Sequence, residues 1–323
     1  GIFKPGEIMA HTGLVLAPRF MRHITSMGHP EQPERLAAIE RLFEERGLSR
    51  ECQMIDPTPA TREDLLQNHS RRYLDHLMQA CVEGDPYVDT TDCPVSAESY
   101  HIAKLACGGV IKAADLVQRG NLKNAFCAVR PPGHHAEYGR AMGFCLINNV
   151  AVTARYLLAR YGLERILILD WDMHHGNGTF HAFEETDQVF FCSLHGHPNV
   201  FYPGTGRAEE RGKGYGEGFS LNIPLWPGTS DHDYRLAFEQ QFLPEADKFA
   251  PQFILISAGF DAHRDDPLSA FELETETFGW MTAQVCSLAK KHCGGKIVSA
   301  LEGGYNLRTL AECAALHVET LLK

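Results

Sequence analysis

The chain has 323 residues, 44% hydrophobic and 22% charged, with a formal net charge of -11. That length allows one or two domains with a substantial core, and the composition is that of a globular protein, not a disordered or fibrous one. The negative charge argues against nucleic acid as a partner and favours a cationic one, such as a basic peptide or a polyamine.

The opening "GIFKPGEIMAHTG" lacks the basic start and apolar stretch of a signal peptide, and no apolar run reaches the length needed to span a bilayer. Residues 1–8 are read as an N-terminal tail or appended segment, with one catalytic domain over 9–323 and no linker. Three helices are expected in the first third: "PERLAAIERLFEERG", "SRRYLDHLMQACVEG" and "AESYHIAKLACGGVIKAADLVQRG". The first carries Leu36, Ile39, Leu42 and Phe43 at helical spacing and stops at Gly47. From residue 125 the pattern changes to short apolar runs: "AFCAV" (125–129), "RILILD" (165–170), "QVFFCSL" (188–194), "QFILISA" (252–258) and "KIVSAL" (296–301). Amphipathic stretches such as "NNVAVTARYLLARYG" and "DYRLAFEQQFLPEADKF" lie between most of them. This alternation predicts an α/β fold with a central parallel sheet flanked by helices on both faces.

The ten cysteines are scattered, with no CxxC pair, and several sit in apolar runs ("FFCSL", "GFCLIN"). They are expected to be reduced thiols in a cytoplasmic protein, or a nuclear one in a eukaryote, and not a secreted one; any metal site would not be a thiolate site.

The runs are followed in turn by "RPPGHH", "WDMHHGNG", "HGHPNVFYPGTG", "GFDAHRDD" and "EGGYN". Histidine, aspartate and glycine therefore collect at one edge of the expected sheet, where open α/β folds bind ligands. If residues 168–174 continue as an extended strand, Asp170, Asp172 and His174 share a face. Such a set suits zinc or another divalent ion with nitrogen and oxygen ligands, the plain alternative being a buried salt-bridge cluster. Three groups along a straight strand span roughly 13 Å at about 3.3 Å per residue, too far to meet on one ion. At least one ligand must come from elsewhere. Asp261, just past another apolar run, is the best candidate, with His263 beside it a weaker one. His134 and His135 enter from a loop stiffened by Pro131 and Pro132 and suit general base and acid work. Tyr305, after two glycines, is placed to donate to an oxyanion.

Taken in this order and spacing, "RPPGHH", "DWDMHHGNG", "SLHGHPNVFYPGTG", "SAGFDAHRDDPL" and "LEGGYN" resemble the zinc-dependent histone deacetylase family, from about "HPEQPERL" to the end of the chain. The resemblance implies a single-domain arginase/deacetylase-like fold and hydrolysis of an N6-acetyl-lysine amide by water. It implies one catalytic zinc on Asp172, His174 and Asp261, with His135 as general base and then acid. His134 would be its electrostatic partner, supported by Asp170, and Tyr305 would polarise the carbonyl. It further implies potassium at one or two structural sites, the first formed by Asp170, Asp172, His174, Ser193 and Leu194. The second would be formed by Phe183, Thr186, Val189 and Phe219. Gly143, Phe144 and Tyr202 match the walls of an acyl-lysine tunnel, Asp92 in "TDCP" matches an acidic rim residue, and hydroxamate-type inhibitors are expected to bind.

Departures from the family pattern narrow the subgroup. Asn177 stands where class I members carry aspartate, as in class II and bacterial class II-like members, and leaves His135 a neutral partner. Tyr202 replaces the usual tunnel phenylalanine. Leu268 occupies the place where a polyamine-selective enzyme would carry an acidic gatekeeper. The alternatives are a deacetylase of acetylpolyamines or other small acylated amines, an arginase-type dinuclear manganese hydrolase, and a non-enzymatic acetyl-lysine reader or scaffold.

Overall fold

The computed structural model describes residues 11–323; the tail assigned to residues 1–8 lies outside them. Among the described residues the strands are β1 (His11–Val15), β2 (Gln53–Met54), β3 (Leu122–Cys127), β4 (Ile166–Asp170), β5 (Val189–Gly196), β6 (Ser220–Leu225), β7 (Phe253–Ala258) and β8 (Ile297–Leu301). They form one parallel sheet in the order β2-β1-β3-β8-β7-β4-β5-β6. Every residue of β4, β5, β7 and β8 is buried, because helices cover both faces; that is why these strands are continuous apolar runs instead of alternating ones.

All five expected runs are strands. Three strands carry no such signal. β6, "SLNIPL", lies at an edge with half its residues only partly buried, and Pro224 is tolerated there because no further strand needs its missing N–H. β1 and β2 are simply short.

The expected helices form at Glu34–Glu45, Arg71–Glu83 and Ser99–Gln118. Their ends follow local chemistry: Ser70 Oγ accepts from the Tyr73 N–H, and Gly84 closes that helix in the left-handed region. The stretch 233–249 is not one regular helix. It runs as Asp231–Ala237, a π turn at Phe238–Phe242, and Leu243–Phe249. Pro244 lacks an N–H and clashes with the carbonyl four residues back, which accounts for the widened turn.

The strand order positions the site. From β3 the chain skips two places to reach β4, and β7 and β8 fill the gap later. The C-terminal ends of β3, β8, β7 and β4 thus adjoin at a topological switch point, where side chains from separate loops can converge. No helix among the described residues is long and apolar enough to cross a membrane, and all ten cysteines are unpaired, eight of them buried.

Candidate active site

β4 ends at Asp170, and residues 171–175 leave the extended line that simple alternation assumed. Asp170 consequently faces a different partner from Asp172 and His174. His174 Nδ1 lies 3.2 Å from Asp172 Oδ1 and 3.0 Å from Asp261 Oδ2, and one donor atom from each of the three falls within 4.8 Å of the others. The remaining carboxylate oxygens are held by backbone: Asp172 Oδ2 accepts from the Gly303 N–H (2.7 Å) and Asp261 Oδ1 from the Met173 N–H (2.8 Å). Glycine is required at 303, since a Cβ there would stand 2.4 Å from Asp261 Oδ2 and 2.5 Å from Asp172 Oδ2.

Burial makes this trio uncomfortable without a cation. Burial and the charge of Asp172 push Asp261 up to about 7, whereas His134 and His174 overcome burial to hold Asp172 well below the usual carboxylate range. His174 rises to about 10 because its bonds to Asp172 and Asp261 outweigh its own desolvation. Two buried carboxylates and an imidazole converging in this way fit a divalent ion with nitrogen and oxygen ligands. His263, the weaker candidate, lies apart, with Nε2 3.1 Å from Thr275 Oγ1 and Nδ1 accepting from the Asp265 N–H.

The paired histidines stand beside the trio with ring centroids 4.0 Å apart. His134 Nδ1 meets Asp170 Oδ2 at 2.8 Å, and His135 Nδ1 meets Asn177 Oδ1 at 2.7 Å. The Asn177 amide is oriented by its Nδ2, which donates to Glu137 Oε1 (2.6 Å), so Oδ1 is the atom presented to His135. An acceptor there requires His135 to carry its proton on Nδ1, which leaves the Nε2 lone pair free. Burial, then the neighbouring His134 and His174, push the His135 pKa well below its ordinary value. Burial also opposes charge on His134, but Asp170, Asp172 and Glu302 outweigh it and hold its pKa well above the usual range. The two imidazoles are thereby driven apart, one charged and one neutral near pH 7.

A cavity of about 210 Å³ opens onto these groups, lined by Asp92, His135, Gly143, Phe144, His174, Tyr202, Leu268 and Tyr305. Phe144 and Tyr305 meet edge to face at 5.7 Å, and Tyr202 stands 5.3 Å from the His135 ring. Burial raises the Tyr305 phenol well above its ordinary pKa against the opposing charge of Arg35, so it keeps its proton. Asp92 is partly engaged, its Oδ2 accepting from the Gly143 N–H (3.2 Å) and Oδ1 from Thr90 Oγ1.

The residues assigned to potassium lie at the end of β4, along β5, at the end of the Asn177–Phe183 helix and in the adjoining loops. Asp170 and Ser193 are register partners across β4 and β5, and Leu194 follows. Phe183 O accepts from the Thr186 N–H (3.2 Å), Val189 opens β5, and Phe219 O accepts from the Phe191 N–H (3.0 Å).

Several supporting residues escaped the sequence reading. Asp266 Oδ2 accepts from the N–H groups of Tyr305 (2.6 Å) and Asn306 (3.1 Å), and its Oδ1 from the Leu268 N–H (2.9 Å), so one carboxylate fixes two parts of the cavity wall. Arg35 donates to Gly304 O and Glu302 O, both at 2.6 Å. Asp266, in "RDDPL", could have been found as an acidic residue between two site motifs; Arg35, in a distant amphipathic helix, gave no signal.

Residues 29–321 match the Histone deacetylase domain, and the chain belongs to the histone deacetylase family of hydrolases. It is 41% identical over 298 residues to a probable deacetylase of Archaeoglobus fulgidus, covering 92% of this chain and 82% of that one. It is 40% identical over 294 residues to a histone deacetylase-like amidohydrolase of Pseudomonas aeruginosa, covering 91% and 77%. The solved HD domain of HDA15 superimposes with a TM-score of 0.92 at 39% identity, over 97% of this chain and 88% of that one. The arginase/deacetylase fold and amide hydrolase class expected from the motifs therefore hold.

Proposed function

We propose that the chain is a zinc-dependent deacetylase of N6-acetyl-lysine in peptides or proteins, with Asp172, His174 and Asp261 as the zinc ligands. The observation that carries this reading is the single cavity joining His174, His135 and Tyr305 beneath the apolar walls of Phe144, Tyr202 and Leu268. A slot of this kind suits the methylene stem of an acylated lysine, with the amide at its floor. Zinc, when bound, supplies Lewis acidity that polarises the amide carbonyl and lowers the pKa of water.

The chain's own residues do the rest. His135 Nε2 takes the proton of the attacking water, its tautomer set by Asn177. Tyr305 donates its phenolic proton in a hydrogen bond to the developing oxyanion. His134, kept charged by Asp170, stabilises the negative charge nearby, and a protonated histidine gives its proton to the leaving lysine amine. Acetate and a free lysine side chain are the products. Asp92 at the rim accepts from the substrate backbone.

Potassium is assigned a structural role at two places. The first, at Asp170, Asp172, His174, Ser193 and Leu194, is supported by the two buried carboxylates of Asp170 and Asp172 and by the pairing of Asp170 with Ser193 across β4 and β5, oxygen donors that suit a hard cation. The second lies at Phe183, Thr186, Val189 and Phe219.

The test is an acyl-substrate panel on zinc-loaded protein, with and without a hydroxamate inhibitor. Hydroxamate-sensitive turnover of acetyl-lysine peptides exceeding that of acetylspermidine is expected; the reverse preference would assign the chain to small acylated amines. Elemental analysis should give one zinc per chain, and two manganese ions would overturn the assignment. Tyr305→Phe and His135→Ala should each lower kcat by at least about 100-fold while zinc content stays at wild-type level. Near-normal turnover in either variant would sink the mechanism.

A further inference from the structure

Glu302 follows β8 in the "LEGGYN" stretch; it lies outside the Asp172–His174–Asp261 trio and the cavity lining, and groups instead with buried His134 and Cys145, one ligand-type atom of each within 4.8 Å of the others. It is fully buried, and all of its polar groups are engaged. Its N–H donates to Ala258 O (3.1 Å) and its carbonyl accepts from Arg35 Nη2 (2.6 Å). Oε1 accepts from Ser257 Oγ (2.9 Å) at the end of β7. Oε2 accepts from two consecutive backbone donors, the N–H groups of Gly133 (2.7 Å) and His134 (3.1 Å).

Those last two bonds bear on the reaction. "RPPGHH" has no helix or strand to hold it, yet both imidazoles depend on its backbone for their aim. A side-chain oxygen that accepts from two adjacent N–H groups limits rotation of the peptide between them. The opposite side of the loop is fixed by packing: a Cβ on Gly133 would lie 2.5 Å from Asn149 N and 2.7 Å from Ile147 O. The loop is therefore gripped between the start of the Asn149–Tyr161 helix and Glu302, and Ser257 anchors the carboxylate itself.

Building on the deacetylase reading above, we propose that Glu302 is a positioning residue: it clamps the Gly133–His134 backbone so that His134 and His135 keep their aim, without touching substrate. What the clamp needs is an acceptor of this shape. Glutamine can satisfy it, with its Oε1 accepting both N–H groups and its Nε2 donating to Ser257 Oγ. Alanine leaves two buried N–H groups without a partner.

The experiment compares zinc-loaded wild type, Glu302→Gln and Glu302→Ala. It measures kcat and KM on an acetyl-lysine peptide, zinc content, and the Gly133 amide proton shift by NMR. For Glu302→Ala we expect kcat down by at least about 100-fold, KM within about threefold of wild type, unchanged zinc and an upfield Gly133 amide. Glu302→Gln should restore kcat to within about tenfold of wild type and keep the amide downfield. The proposal is overturned if Glu302→Ala keeps near-normal kcat, if the two variants lose equal activity, or if the Gly133 shift does not move. Should Glu302→Ala fail to fold, Glu302→Gln decides alone, and a loss as large as that expected for alanine overturns the clamp. A wild type inert across the acyl panel would defeat the deacetylase reading instead, while the Gly133 shift would still report on the clamp without turnover.

Discussion

At His135 the decisive neighbour is Asn177, because an amide oxygen fixes the imidazole tautomer without supplying a charge that would raise its pKa. Asn177→Asp would give His135 an ionic partner and set a second carboxylate against Glu137, whose Oε1 now accepts from the Asn177 amide at 2.6 Å. The His135 pKa should rise, so the fraction carrying a free Nε2 should fall at mildly acidic pH. The acidic limb of the kcat/KM profile is expected to move to higher pH by about 1 unit; an unmoved limb would show that Asn177 does not tune His135. The same neighbourhood shows how far the site could be read from sequence. Asp172, His174 and Asp261 were legible because metal-capable residue types recur after apolar runs, and the reach of a straight strand already demanded a ligand from another loop. The division of Asp170 from Asp172 was not legible from alternation, since it depends on β4 stopping at Asp170. Glu302 and Asp266 were passed over because they act through backbone N–H groups, which have no sequence signature.

Among the elements, the helix Ser99–Gln118 approaches its neighbours closely at Gly108. A Cβ on Gly108 would lie 1.8 Å from Thr58 O and 2.4 Å from Ala60 N, both backbone atoms that cannot swing aside. Elsewhere in an exposed helix, Gly→Ala would stabilise by reducing unfolded-state freedom. Here the sign reverses, and Gly108→Ala is expected to cost about 1–3 kcal/mol through overpacking, read as a lower midpoint in urea unfolding; an unchanged or raised midpoint would contradict the packing. The element pattern explains which parts of the fold were visible beforehand. Fully buried strands such as β5 and β7 stand out as unbroken apolar runs, because both faces are covered. β6 is half-covered and β2 is only two residues long, so neither run is distinct from loop. The strand order was not legible either, as nothing local in "AFCAV" says that the next strand lies three places away.

Across the whole molecule, six histidines outside the metal-capable trio are buried and held neutral, among them His135 and His175, which burial and neighbouring histidines push well below their ordinary value. Burial lowers His23, His69 and His195 to about 4 and His317 to about 3, against an unfolded value of 6.5. His317 is bonded on both sides, Nδ1 to Thr282 Oγ1 and Nε2 to Ser299 Oγ, each at 2.7 Å. Below pH 6.5 the unfolded chain takes up protons at these six positions that the folded chain refuses until about pH 4 or lower. Stability is therefore at its full value above 6.5 and falls as the pH drops through that window, by about 1.4 kcal/mol per pH unit for each group. Glu31 is separate: Arg130 and Arg35 overcome its burial and hold it at about 2, so its contribution is present above 4.5 and is lost as the pH falls from there toward about 2. The opposite-signed groups, His134, His174, Asp261 and Glu302, lie in or beside the site, and a bound cation would keep His174 and Asp261 from taking a proton. Zinc-loaded protein should thus show a urea midpoint that falls steeply between about pH 6.5 and 4.5. Loss of zinc in acid has the same sign, so His317→Gln separates the causes: it removes one of six protonation sites, at a residue outside the metal-capable trio, and should lower the slope by about a sixth. A slope unchanged in that variant would mean that the buried histidines do not set the acid limit.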